Sequence, residues 1–74
     1  MSREELLKAI NLENKPDWAR KGQWVFNWID MNLVDKNSGE SIARLIQFDD
    51  HIDCFYDDSC IDKFIDACLI RINK

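Results

Sequence analysis

Tyr56, Asp57 and Asp58 stand side by side. A phenol next to two carboxylates is a combination that general acid–base chemistry uses once burial has shifted a pKa. Nothing else in the chain completes such a site. There is no glycine-rich phosphate loop, no nucleophile with a matched base, and only one histidine. Asp57 and Asp58 read more simply as turn and cap residues ahead of a helix. The expectation is a protein with no catalytic residues, not an enzyme.

His51, Cys54, Cys60 and Cys68 raise metal binding. Zinc sites bring their ligands in close pairs, and only His51-x2-Cys54 has that form. Cys68 falls on the apolar face of a helical pattern, where a thiol acts as a small hydrophobe. A calcium loop counted from Asp49 puts Cys54 where glycine is required and Cys60 where the closing glutamate belongs, so that template fails. No metal site and no cofactor are expected. A small metal- or ligand-binding domain using residues 51–60 is the alternative reading.

Three tryptophans, Trp18, Trp24 and Trp28, could stack nucleobases, but they lack the surrounding Lys and Arg of such a groove. Trp24 and Trp28 are four apart and read as core or interface edge. Trp18 lies in a linker and is expected to be partly exposed. Beside Arg20 and Lys21 it would make a protein-binding hot spot. Gln23 and Asn27 share one helical face just after Arg20. These three polar residues are expected to be structural, with Arg20 bridging to Asp57 or Asp58 and Asn27 bonding loop backbone.

Charge is concentrated in one stretch. Residues 49–66 hold seven aspartates against Lys63, a net −6, whereas residues 1–48 balance seven acidic against seven basic side chains. Arg71 and Lys74 bring the whole chain to −4. The plain reading of this window is a solubilising surface. The functional reading is a docking face for a basic partner built from Asp49, Asp50, Asp53, Tyr56, Asp57 and Asp58, with Trp18 and Arg20 beside it. Nucleic-acid mimicry, with carboxylates in place of phosphates, is its sharpest form. Direct nucleic-acid binding is not expected from so acidic a chain.

The elements that position these residues are helical. Ser2-Arg3-Glu4-Glu5 has capping-box spacing, and Leu6, Leu7 and Ile10 follow, which predicts a helix over 3–11. Asn11 to Asp17, with Pro16, is a linker. Trp24 to Val34 is the most apolar run, and its three- and four-residue repeats predict a central helix over 21–36. Ser38 or Ser41 caps a third, short helix with Ile42, Leu45 and Ile46 inward. Residues 47–56 are expected to form a loop pinned by Phe48, Ile52 and Phe55. Ile61, Phe64, Ile65, Cys68, Leu69 and Ile72 recur at three- and four-residue intervals, which predicts a final helix over 60–72, with Asp58 and Ser59 as cap candidates. The fold expected is all-α: one domain over 1–74, with three or four short helices around the Trp-rich segment. Its core is expected to hold Leu6, Leu7, Ile10, Val25, Trp28, Ile29, Leu33, Leu45, Phe55, Phe64, Ile65, Cys68 and Leu69. No run reaches the ~18 apolar residues of a membrane span. An odd cysteine count with no basic-then-apolar leader predicts reduced thiols and a cytoplasmic setting.

Two segments carry a resemblance. Arg20-Lys21-Gly22-Gln23-Trp24-Val25-Phe26-Asn27, and later Asp53-Cys54-Phe55-Tyr56-Asp57-Asp58 with Ile61 and Phe64, resemble a group of short bacterial and phage proteins. Those proteins carry an Arg-x-Gly-Gln, an apolar pair and Asn, and then Asp-x-Phe-Tyr-Asp-Asp. Members often have Pro where this chain has Lys21 and Cys54. The resemblance spans most of residues 20–64 and brings no activity with it. It implies a cytoplasmic accessory protein of a bacterium, a prophage or a phage. The combined expectation is a small, non-enzymatic protein-binding module. It would regulate a larger partner with a basic surface, for instance by inhibiting a host or defence protein. A second copy of the chain is also an acceptable partner.

Overall fold

The computed structural model describes residues 1–73. Its four α-helices are α1 (Arg3–Ile10), α2 (Lys21–Asn32), α3 (Ile42–Asp49) and α4 (Ile61–Ile72). Single 3-10 turns at Leu12–Asn14 and Asp58–Cys60 complete an all-helical domain. α2 is central and touches the other three helices.

The capping box forms as its spacing predicts. Glu5 N donates to Ser2 Oγ at 3.1 Å, and Ser2 N donates to Glu5 Oε1 at 3.1 Å. α1 ends where Asn11 enters the left-handed region at φ 54°, a conformation Asn tolerates. The Trp24 indole donates to Ile10 O at 2.9 Å, which fixes that end of α1 against α2. It also satisfies one of the orphan carbonyls at a helix C-terminus.

α2 stops at Asn32, four residues earlier than periodicity predicts. Asp35 is the cause. Its carboxylate accepts the amides of Asn37 and Ser38 at 2.8 and 3.0 Å. Its own amide donates to Glu40 O at 2.8 Å, and Gly39 closes the turn at φ 74°. This Asx turn requires Leu33 and Val34 to be extended already. Leu33 is therefore half-buried and Val34 exposed, with Val34 in a single antiparallel bridge to Ser41.

Ser41 caps α3 by accepting Arg44 N at 3.4 Å, and its hydroxyl donates to Asp30 Oδ1 at 2.5 Å. Arg44 Nε reaches the same oxygen at 3.2 Å, so one carboxylate joins α2 to the start of α3. α3 runs on to Asp49, into the segment expected to be loop. Its inward stripe is Ile42, Ala43 and Ile46. Phe48 lies about 200° around the helix from Ile46 and is 66% exposed, so it does not pin the chain to the core. Ile52 and Phe55 do pack against it.

Of the expected core, Leu6, Ile10, Val25, Ile29, Phe64, Ile65 and Cys68 are fully buried. Leu7, Trp28, Leu33, Phe55 and Leu69 are half-buried against that cluster. Leu45 is a correction. It is only half-buried, lies outside the core packing, and lines the outer face of α3 with Phe48. Phe26, Ala19, Ala43 and Cys54 are buried as well. Among the described residues no helix is long and apolar enough to cross a membrane.

Candidate protein-docking site

Residues 20–27 and 53–58 meet in space. Their meeting point is the first turn of α2 against the loop 54–58. Gly22 is buried there, and a Cβ at this position would collide with the Cys54 carbonyl oxygen and crowd Asp58 Oδ1. The loop backbone thus lies directly on the helix backbone, an approach only glycine permits. Gly22 N donates to Asp58 Oδ1 at 3.0 Å, and the Cys54 thiol donates to Gly22 O at 3.3 Å. The N-cap residue, Arg20, makes no side-chain cap. Asp58 supplies the missing acceptor from 36 residues away, and its charge suits the positive end of the helix dipole.

Arg20 spans the outside of this junction. Its guanidinium donates to Phe55 O at 2.5 Å and Tyr56 O at 3.4 Å. The expected bridge to Asp57 or Asp58 is not made. The loop carbonyls have no other partner within a turn this tight, and a guanidinium carries enough donors to serve two of them. Two aromatic side chains of these segments are exposed, Trp18 at 77% and Tyr56 at 70%. Phe55 lies edge-on to Tyr56 at 4.8 Å and edge-on to Phe26 at 5.4 Å. Phe26 in turn contacts Phe64 at 5.7 Å. A ladder of rings therefore runs from the fully buried Phe64 to the exposed Tyr56. Gln23 and Asn27 are half-buried, and neither side chain makes a hydrogen bond among the described residues. The expected bond from Asn27 to loop backbone is not found among the described residues. Asn27 instead borders a shallow groove beside Phe55 and Tyr56.

The seven aspartates of the window are dispersed. Asp50 pairs with Arg71 at 2.9 Å, toward the C-terminal end of α4. Asp62 and Asp66 hold Arg3 on the α1 side of that helix, at 2.7 and 2.5 Å. Asp53 accepts from Gln47 Nε2 at 3.0 Å and from Phe55 N at 3.1 Å. Asp57 accepts the hydroxyl and the amide of Ser59 at 2.6 and 2.9 Å, capping the 3-10 turn ahead of α4. Asp49 has no partner among the described residues and sits at the end of α3. α4 is about 18 Å long, so the Asp50 and Asp57 ends of the window are well separated. Asp57 is engaged by Ser59 and Asp58 by Gly22, and the Tyr56 hydroxyl makes no hydrogen bond to either among the described residues.

The Ser59 hydroxyl and amide hold the Asp57 carboxyl below its ordinary value. The amides of Ser38 and Asn37 do the same for Asp35, and the Ser2 backbone and hydroxyl for Glu5. Each lowered carboxyl adds stability above its unfolded value, and that stability is lost as pH falls through the folded value. Thermal midpoints are therefore expected to stay level above about pH 5 and to drop below the ordinary values of 3.8 for Asp and 4.5 for Glu. A midpoint that rises on acidification would contradict these contacts.

Burial pushes the Cys54 thiol up to about 12 and Cys68 to about 11. Burial also raises Cys60, which donates to Asp57 O at 3.2 Å. Metal ligation needs the thiolate, and these sites favour the thiol. His51 is exposed at φ 58°, and no group of three ligating side chains forms among the described residues.

Trp18, Arg20 and Tyr56 stand out in the sequence, whereas the roles of Gly22 and Cys54 emerge only where the loop meets α2. A glycine opening an apolar helical run was the available signal, since such glycines mark close backbone approach. Compared with known proteins, the chain matches no family model, no curated protein and no solved structure.

Proposed function

We propose that this chain is a protein-binding module whose docking surface centres on Trp18 and Tyr56. The carrying observation is the exposure of two large aromatic side chains, Trp18 next to Arg20 in sequence and Tyr56 on the loop whose backbone Arg20 clamps over Gly22. Exposed aromatics held on an ordered backbone lose little entropy on binding and are typical hot-spot anchors. Arg20 and Lys21 near Trp18 and Asp57 next to Tyr56 put both signs of charge beside these aromatics in sequence, which suits a partner with exposed carboxylates as well as a basic patch. Nucleic-acid mimicry is disfavoured, because the carboxylates are spread apart and mostly engaged within the chain. The role is regulatory and non-enzymatic. The three free thiols and the resemblance over residues 20–64 support a cytoplasmic accessory protein of bacterial or phage origin.

Site-specific photo-crosslinking in cells tests the surface. A benzoylphenylalanine in place of Trp18 or Tyr56 should yield one discrete adduct. The same probe at Lys8, exposed on α1, should yield none. Adducts of equal yield from all three positions, or none from 18 and 56, would remove the surface from the account.

A further inference from the structure

A shallow groove of about 230 Å³ lies between α2, α3 and the loop that carries Tyr56. Phe55 and Tyr56 wall its aromatic part. Asp30 and Arg44, paired at 3.2 Å, supply its charged part. Phe26, which packs on Phe55, stands one turn before Asp30 on α2. The aromatic and charged parts therefore follow each other at a spacing of about 6 Å. Asn27 from α2 and Gln47 from α3 line the groove as well.

Three of these side chains keep hydrogen-bonding capacity that the fold does not use. Asn27 is half-buried, and its carboxamide makes no hydrogen bond among the described residues. A carboxamide offers a donor and an acceptor together, the complement of a main-chain amide. Gln47 gives its nitrogen to Asp53 Oδ2 at 3.0 Å and keeps its oxygen as an acceptor. Arg44 gives only Nε to Asp30, and its side chain is 65% exposed. Its two terminal nitrogens have no partner among the described residues. They form a second edge of the guanidinium, spaced for one more carboxylate.

Enclosed small-molecule pockets run to about 300–1,000 Å³, more than this groove offers. An extended chain fits it better. Such a chain rises about 3.3 Å per residue and points alternate side chains the same way, so residues two apart match a ~6 Å spacing. We infer that the groove takes a short extended segment of the partner carrying an acidic side chain. An apolar side chain of that segment packs on Phe55 and Tyr56, its main chain pairs with Asn27, and a carboxylate two residues away meets the open edge of Arg44. Asp30 is already engaged by Ser41 and Arg44, so the open cation sets the sign of the charge that is accepted. Because Tyr56 belongs to both, the groove rests on the docking surface proposed above.

Random peptides displayed on phage and selected on the full chain are the probe. Enriched sequences should carry Asp or Glu two positions from an apolar residue. A synthetic peptide of that sequence should lose affinity at least about tenfold with Arg44→Gln and with Asn27→Ala. Arg44→Lys, which keeps the charge but not the fork, should lose less than Arg44→Gln. Lys8→Ala should lose none. Nitrogen-correlated NMR spectra should show the Asn27 carboxamide and Arg44 Nε signals moving as peptide is added. The same spectra report whether each variant is folded. No enriched peptide, or a consensus with Lys or Arg in place of the acid, would overturn the inference, and photo-crosslinking at 18 and 56 then judges the docking surface by itself. Peptides that bind the Arg44 and Asn27 variants as well as the parent would also overturn it. If those peptides are lost with Tyr56→Ala, the groove falls and the docking surface stands. If they bind Tyr56→Ala unchanged, both fall.

Discussion

Gly22→Ala is expected to destabilise the protein by about 3 kcal/mol or more, the reverse of what the substitution does in most helices. Replacing an interior helical glycine with alanine ordinarily stabilises by about 1 kcal/mol. Here the new methyl would strike the Cys54 carbonyl oxygen, which is backbone and cannot rotate away. The loop must lift. Overpacking of this kind costs about 1–3 kcal/mol. Lifting the loop also breaks the bond from Gly22 N to Asp58 and draws the Phe55 and Tyr56 carbonyls away from Arg20. Hydrogen bonds to charged groups add roughly 1.5 kcal/mol or more each. For a domain this small the thermal midpoint should fall by about 15–25 °C. Gly39→Ala is the control. Nothing lies within 4 Å of a Cβ there, so its cost is left-handed backbone strain alone, about 1–2 kcal/mol. Thermal unfolding of the two variants side by side separates collision from strain. A neutral or stabilising Gly22→Ala would mean that the loop does not rest on α2.

Phe64→Ala is expected to cost about 3–5 kcal/mol, which approaches or exceeds the whole stability of a domain of this size. Phe64 is 0% exposed, among the largest side chains in the core, and the inner end of the ring ladder. Removing it leaves a void beside Phe26, which supports Phe55, which supports Tyr56. Loss should therefore reach the docking surface as well as the fold. Phe64→Leu keeps most of the volume and should cost less than about 1.5 kcal/mol. Chemical denaturation gives both values, and near-UV circular dichroism follows the Tyr56 environment. A Phe64→Ala variant within about 1 kcal/mol of the parent would show that the ladder carries little of the stability.

Local signals were the legible part of this chain. The capping box at Ser2 and Glu5, the Ser41 cap and the apolar repeat of α4 are each written within a few residues and appear as read. What could not be read is how distant residues share partners. Asp58 looks like a cap for the helix that follows it, yet it serves the first turn of α2. Arg20 looks like half of an ion pair, yet two carbonyls across the chain claim it. Asp35 ended α2 early because one side chain collected two amides, which the apolar repeat running on to Val34 concealed. The acidic run failed as a guide to one surface for a related reason. Neighbours in sequence around a loop and a helix end diverge in space, and Arg3 and Arg71 arrive from outside the run to neutralise part of it. Of the site itself, the exposure of Trp18 was legible from its place in a polar linker, but the mount beneath Tyr56 required the contact between the two segments.

Affinity capture from native lysate, run at low and high salt and read by quantitative mass spectrometry, tests the docking surface most directly. The baits are the parent chain, a Trp18→Ala/Tyr56→Ala variant and a Lys8→Ala control. One dominant partner is expected that survives high salt, remains with Lys8→Ala, and falls at least about tenfold with the double aromatic variant. A partner that stays bound to the double variant but is released by salt would contradict it. That result would place binding on the carboxylates instead of on Trp18 and Tyr56.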